Sequence, residues 1–327
     1  MTVVAYGSPW VPPEWIAAHG LEARWMRPGS HRPEVAEHQG LCPFAAATIG
    51  TVLAGGADDA VVLTTTCDQM RYAAALIERE RTGPVFLMNV PSTWQSDGAR
   101  RLYRDELERL GRFFVEYGGS TPSREDLWRS MLRFDRARAN ARQAATWLRA
   151  RHAAEVTAHF RSTHVVPDAS GLEVRPDGGV PLALLGGPVA REDLELLDLI
   201  ERAGGRVVLD ATESGERTLA APLHWKRLRD DPIEELVRAY FDSIPDVFQR
   251  PNDRLYRWLD EQIVGRRVRG VLVHRYVWCD LWHAELARLK EAIGVPVLEL
   301  DAGTGDGMSS GRTASRVEAF LEMLADR

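Results

Sequence analysis

Residues 60–77, AVVLTTTCDQMRYAAALI, run from an unbroken apolar stretch through Cys67 into a helical pattern. Residues 270–290, GVLVHRYVWCDLWHAELARLK, make the same transition through Cys279. A short apolar run rich in β-branched residues suits a strand buried on both faces, as in parallel sheets. After each cysteine comes an aspartate, Asp68 or Asp280, whose charge is favourable at a helix N-terminus. Strand, turn and helix in that order is the opening of a βαβ unit, so each segment predicts a parallel sheet covered by helices. One such segment near each end predicts two sheets, and the matched pair has the look of a structural duplication.

Working outward, VVAY (3–6), ARWMR (23–27) and PVFLMNV (84–90) are further strand candidates in the first part. PPEWIAAHG (12–20), PFAAATIGTVLAG (43–55) and RYAAALIERE (71–80) are the helices between them, the first ending at Gly20. Pro43 suits a first helical turn, which places Cys42 at the start of its helix. From Ser96 to His159 the strands stop. RRLYRDELERLGRFFVEYG (100–118) and the long stretch 123–160 carry helical spacing; Pro122 separates them, and Thr121 or Ser123 can cap the second. The turn-rich 166–179, VPDASGLEVRPDGG, reads as a hinge. Beyond it LALLGG (182–187), GRVVLDA (205–211), VRGVLVHR (268–275) and VPVLELD (295–301) are strand candidates, and 316–327 is an amphipathic helix. The expected fold class is α/β: two Rossmann-like domains with parallel sheets plus a helical connecting segment. The expected boundaries are 1–95 with Cys42 and Cys67, 96–180 for the connection, and 181–327 with Cys279.

Composition narrows the function. A chain of 327 residues suits two domains that each bury a core, and 45% apolar with 27% charged residues is a globular balance. No run approaches the ~18 apolar residues of a membrane span, and MTVVAYGSPWVPPEW lacks the basic start and apolar centre of a secretory signal. An odd, small cysteine count argues against a disulfide framework. The expectation is a cytoplasmic protein with no membrane association. A net charge of −6 and no basic run argue against a nucleic-acid partner.

The three cysteines, Cys42, Cys67 and Cys279, all stand where a helix begins. Unpaired N–H groups and the helix dipole stabilise thiolates there. Parallel sheets bind ligands beyond the carboxyl ends of their strands, the edge that Cys67 and Cys279 occupy. No CxxC pair occurs, which argues against a zinc ribbon or a thioredoxin-type redox pair. Three thiolates can hold a [4Fe–4S] cube with one iron left open, whereas electron-transfer clusters mostly use four. Three unrelated buried thiols are the competing reading, since free cysteine is commonly buried.

These residues resemble a family: the iron–sulfur subunits of 2-hydroxyacyl-CoA dehydratases and benzoyl-CoA reductases. The resemblance runs in family order through VPPEWIAAHG (11–20), GLCPFAAATIG (40–50), TTTCDQMRY (64–72) and LLGGP (184–188). It continues through HRYVWCDLWHAELARLK (274–290) and GRTASRVEAFLEML (311–324). It implies two flavodoxin-like domains with a [4Fe–4S] cluster between them, held by Cys42, Cys67 and Cys279 with one open iron. It also implies a partner, either a related iron–sulfur subunit or a second copy of this chain, and an ATP-hydrolysing iron–sulfur activator supplying low-potential electrons. The implied chemistry is radical dehydration or reduction of an acyl-CoA or similarly activated small acid, through a ketyl radical anion at the thioester carbonyl. ATP would act only through the activator, because GTGDGMSSGRT (303–313) has neither the spacing nor the lysine of a phosphate-binding loop. A homodimeric double-cubane [8Fe–9S] reductase and a noncatalytic relay subunit are the alternatives.

Four further residues are catalytic candidates. Ser8 follows the first strand, at the edge where a substrate oxygen would bind, though a turn serine has the same position. Glu14 is made a cleft candidate by the resemblance and a helix-capping residue by its place after Pro12 and Pro13. His274 and His283 flank Cys279, and histidine is the usual side chain of a proton shuttle. A core histidine and a surface histidine are their competing readings. Gly186, Gly187 and Pro188 join a strand to a helix without a GxGxxG fingerprint, which excludes a nicotinamide dehydrogenase as the leading reading. Ser309, Ser310, Arg312 and Arg316 are anion-contact candidates at the last helix, which a capped, solvated helix start equally explains.

Overall fold

The computed structural model describes residues 2–29, 40–55, 59–163, 172–175, 177–303 and 311–326. Strand β1 (Val3–Tyr6) leads to helix α1 (Pro13–Ala18), β2 (Glu22–Trp25), α2 (Pro43–Leu53), β3 (Ala60–Thr64), α3 (Asp68–Glu80) and β4 (Val85–Met88). The strands form a parallel sheet of order β2-β1-β3-β4. Three helices follow: α4 (Asp97–Glu116), α5 (Arg124–Trp147) and α6 (Ala150–Thr163). The second sheet takes β5 (Val180–Gly186), β6 (Gly205–Ala211), β7 (Gly270–Tyr276) and β8 (Val297–Ala302), all parallel in the order β6-β5-β7-β8. Its helices are α7 (Glu195–Arg202), α8 (Trp225–Asp230), α9 (Pro232–Tyr240), α10 (Asp253–Gly265), α11 (Asp280–Ala292) and α12 (Gly311–Ala325). The α/β class, with two four-stranded parallel sheets and a helical middle segment, is therefore borne out among the described residues.

In both sheets the chain moves outward from the first strand to the second, then crosses to the first strand's other side. That reversal leaves a crevice at the carboxyl ends of β1 and β3, and again at those of β5 and β7, where open α/β sheets bind ligands. Every residue of β3 is buried, as its unbroken apolar run requires of a central strand. Edge strand β2 instead alternates, with Glu22 and Arg24 exposed and Ala23 buried.

The first sheet is not covered by its own helices alone. Tyr103, Leu107, Leu110 and Phe114 form the buried stripe of α4, and they pack with Val4 and Tyr6 of β1 and with Phe241 and Ile244 beyond α9. Tyr103 stacks on Phe241 with ring centroids 5.1 Å apart. A segment late in the chain thus returns to the first sheet and joins the two halves through one apolar core.

Two details of the helical region differ in outcome. Ser123, rather than Thr121, caps α5 in a reciprocal capping box with Asp126. The stretch 123–160, expected as one helix, is two. Leu148 takes an extended conformation between α5 and α6 and pairs with Val174. Arg149 N–H donates to the Glu173 carbonyl at 3.0 Å, Arg175 N–H to the Trp147 carbonyl at 2.8 Å, and Glu201 accepts from Ala150 N–H at 3.2 Å. These tertiary hydrogen bonds satisfy the backbone groups that the break exposes, which is what helical spacing cannot reveal. The expected hinge lies partly outside the described residues, and Ser309 and Ser310 lie wholly outside them; Arg312 and Arg316 are exposed on α12. Among the described residues no helix is long and apolar enough to cross a membrane.

Candidate functional site

A cavity of about 650 Å³ opens between the carboxyl ends of the two sheets, and Cys42, Cys67 and Cys279 all line it. Each cysteine is the N-cap of its helix, α2, α3 and α11 respectively, as their positions in the sequence predict. The first-turn amides of each helix face its sulfur: Phe44 and Ala45 for Cys42, Met70 for Cys67 and Trp282 for Cys279.

The convergence has identifiable causes. Cys42 belongs to the first half of the chain, yet it and Ala45 are buried in the apolar core of the second sheet with Leu184, Leu272 and Tyr276. Phe44 lies against Tyr276, ring centroids 5.8 Å apart. From the other side, Gln69 in the first turn of α3 accepts a hydrogen bond from Cys42 N–H at 2.8 Å, fixing the start of α2 beside Cys67. Gly303, after β8, packs on Pro43 so closely that a Cβ there would lie 2.2 Å from the ring Cγ, and its φ of 101° is left-handed. Gly303→Ala is accordingly expected to cost about 2–4 kcal/mol, combining backbone strain with overpacking. Urea unfolding measures it, and Pro43→Ala in the same background should recover part of the loss.

Trp278 precedes Cys279 with φ 67°, an uncommon conformation for a bulky residue. Cys279 N–H donates back to the Tyr276 carbonyl at 3.1 Å, so the chain turns tightly at the end of β7 and presents the sulfur to the cavity.

The electrostatics are those of thiols crowded below the surface. Burial pushes the Cys67 thiol up to about 12, opposed by the Met70 amide and reinforced by Glu213, Cys42 and Cys279. Burial likewise pushes Cys279 up to about 11, against the Trp282 amide. Cys42 is raised by burial against the amides of Ala45 and Phe44. Each sulfur thus feels helix-terminal amides that favour negative charge, and Cys67 and Cys279 feel their neighbours as well. Among the described residues no three His, Cys, Asp or Glu side chains are gathered closely enough for a single metal ion. The three thiols lining the cavity are soft donors of the kind that hold transition metals. Binding one would keep them deprotonated, because coordination removes the thiol proton.

The remaining sequence candidates separate. Ser8 lines the cavity just beyond β1 and accepts a 3.4 Å contact from Trp10 N–H. Glu14 does not line it; the carboxylate is fully buried among α1, α5 and α9, bonded to Arg138 at 2.8 Å and Tyr240 at 2.7 Å. His274 is also fully buried and outside the cavity lining. Neither ring nitrogen has a hydrogen-bond partner among the described residues, and Asp193 lies 3.7 Å away. His283 is exposed on α11 and does not line the cavity. Two carboxylates that sequence reasoning missed, Glu213 and Asp246, do line it. The strand-end rule was the available signal for Glu213, which lies two residues past β6.

The sequence profile described as 2-hydroxyglutaryl-CoA dehydratase, D-component, matches residues 10–324. No curated relative matches the sequence. Among solved structures, a mutant of a laminin-binding adhesin from Streptococcus agalactiae aligns over 99% of each chain at 13% identity, with a TM-score of 0.23. A likeness that weak carries no argument.

Proposed function

The chain belongs to the 2-hydroxyglutaryl-CoA dehydratase D-component family, and from that premise we propose that it is an iron–sulfur subunit of a 2-hydroxyacyl-CoA dehydratase-type enzyme. In this reading Cys42, Cys67 and Cys279 hold a [4Fe–4S] cluster with one iron free of protein sulfur. One observation carries it: three thiols from three helix N-termini, contributed by both sheets, line a single cavity. When bound, the cluster would supply low-potential one-electron chemistry and a Lewis-acidic corner. The electrons would come from an ATP-dependent activator, and a related subunit or a second copy would complete the assembly.

The chain's own residues supply the rest. Amides at the starts of α2, α3 and α11 favour the negative charge of thiolates. Trp10, Phe248 and Trp282 contribute apolar walls that keep water from the reacting groups. Ser8 offers a hydroxyl to a substrate oxygen at the end of β1. The volume falls within the roughly 300–1,000 Å³ of small-molecule sites, room for the acyl end of a thioester.

Anaerobic purification with iron, sulfide and paramagnetic-resonance analysis tests this directly. We expect four irons and four inorganic sulfides per chain, in line with the cube. Protein that binds no iron after anaerobic reconstitution would overturn the reading, and nine rather than eight inorganic sulfides per eight irons in a dimer would favour the double-cubane alternative.

A further inference from the structure

We propose that Glu213 is the proton-transferring carboxyl of this cavity, serving both atoms from which a bound 2-hydroxyacyl thioester loses water. The inference rests on the dehydratase reading and adds a catalytic residue to it. Glu213 stands just beyond β6, half-buried at the cavity wall that also carries the three cysteines. Its backbone is held on both sides. The N–H donates to the carbonyls of Gly186 and Gly187 at 3.2 and 3.1 Å, and the carbonyl accepts from the Thr218 hydroxyl at 2.6 Å. A rigid strand end thus sets where the carboxyl points, while no described residue hydrogen-bonds the carboxyl itself.

The neighbouring charges explain why it is left unpaired. Asp246, from the segment after α9, accepts from the Arg217 guanidinium and from Phe248 N–H at 3.1 Å. Arg217 gives its other N–H groups to the carbonyls of Ala211, Pro245 and Gly186 at 2.8, 2.8 and 3.1 Å. Its charge is therefore engaged by Asp246, and Glu213 faces that anion with no cation among the described residues hydrogen-bonded to its carboxyl. Arg161 of α6, Cys67 before α3 and Cys279 before α11 are the other titratable or charged groups acting on it. Burial first, and Asp246 second, push the Glu213 carboxyl up to about 7, against the pull of Arg217 and Arg161. Two carboxylates in one cavity with divergent environments mark an acid–base role, and an acid near neutrality is well matched to giving and regaining a proton. Asp68 and Asp280 also line the cavity but are exposed.

The step balances: the one electron that the activator lends to weaken the C2–O bond is returned once the double bond forms. Glu213, as the acid, gives its proton to the C2 hydroxyl. The C2–O bond breaks with its electron pair leaving on oxygen, and water departs. The proton lost from C3 returns to the carboxylate, and the C3–H pair becomes the C2–C3 double bond. Oxidation state is unchanged overall.

The test compares wild type with Glu213→Gln and Glu213→Asp. Turnover of 2-hydroxyglutaryl-CoA by the chain assembled with its partner, a related subunit or a second copy, is followed with a low-potential chemical reductant. Infrared spectra of the carboxyl stretch are taken between pH 5 and 9. Loss of a general acid–base costs about 10²–10⁴-fold, so the Gln variant should lose at least ~100-fold in kcat with KM little changed and iron content intact, and the Asp variant should recover part. The wild-type protonated-carboxyl band should disappear as pH rises through about 7 and be missing from Glu213→Gln. Near-wild-type turnover in the Gln variant, or persistence of the titrating band in it, would overturn the role of Glu213. An inactive wild type that keeps its band and its cluster would instead overturn the dehydratase reading.

Discussion

Cys42→Ser is expected to yield a folded protein that retains little of its iron. The side chain is 7% exposed and its replacement removes no carbon, so the second sheet's core, in which it is packed, should close around the hydroxyl with little change. The coordination chemistry does change: serine offers a hard, protonated oxygen where a soft thiolate is wanted. Removing an outer-shell partner typically weakens metal binding 10–100-fold, and losing one of only three thiolates should exceed that. Cys67→Ser and Cys279→Ser should behave alike, because each is the only cysteine at its helix. Iron content and circular dichroism on the same anaerobic samples measure both halves of the prediction. Full iron in the Cys42 and Cys279 variants would count decisively against a shared site.

The cysteines were legible because local rules place them. An apolar run ending in Cys-Asp and passing into helical spacing specifies a strand end and a helix start together, and Pro43 does the same work for Cys42. That they share a cavity was not local information. It depends on Gln69 gripping the Cys42 amide, on Phe44 meeting Tyr276 and on Gly303 admitting Pro43, contacts made by residues distant in the chain. The histidines show the reverse. His283 could have been dismissed from phase alone, since Trp282, Glu285, Leu286 and Leu289 are the buried face of α11 and leave 283 outside. Glu213 was missed because its significance comes from Asp246 and Arg217, which no strand or helix pattern connects to it.

The setting of Glu14 was hidden for the same reason, and its replacement is expected to be among the most destabilising in the protein. Its carboxylate is tied to Arg138 and Tyr240, which are 124 and 226 residues away, so α1, α5 and α9 meet on one anion. Arg138 is 1% exposed and also bonds the Tyr240 hydroxyl at 2.9 Å, while Ser130 donates to the Glu14 carbonyl at 2.9 Å. Glu14→Gln keeps the volume but leaves a buried guanidinium with Asp135, 3.5 Å from Nη2, as its remaining anion. Breaking a buried pair in this way costs about 3–5 kcal/mol, whereas replacing both charges by apolar groups is often nearly neutral. Glu14→Leu combined with Arg138→Met should therefore be more stable than either single variant, with the freed Tyr240 hydroxyl accounting for the residual loss. Denaturant unfolding of the four proteins measures the cycle. A cluster-loaded double variant that still turns over substrate would place Glu14 in the scaffold, whereas full stability with lost turnover in Glu14→Gln would return it to the chemistry.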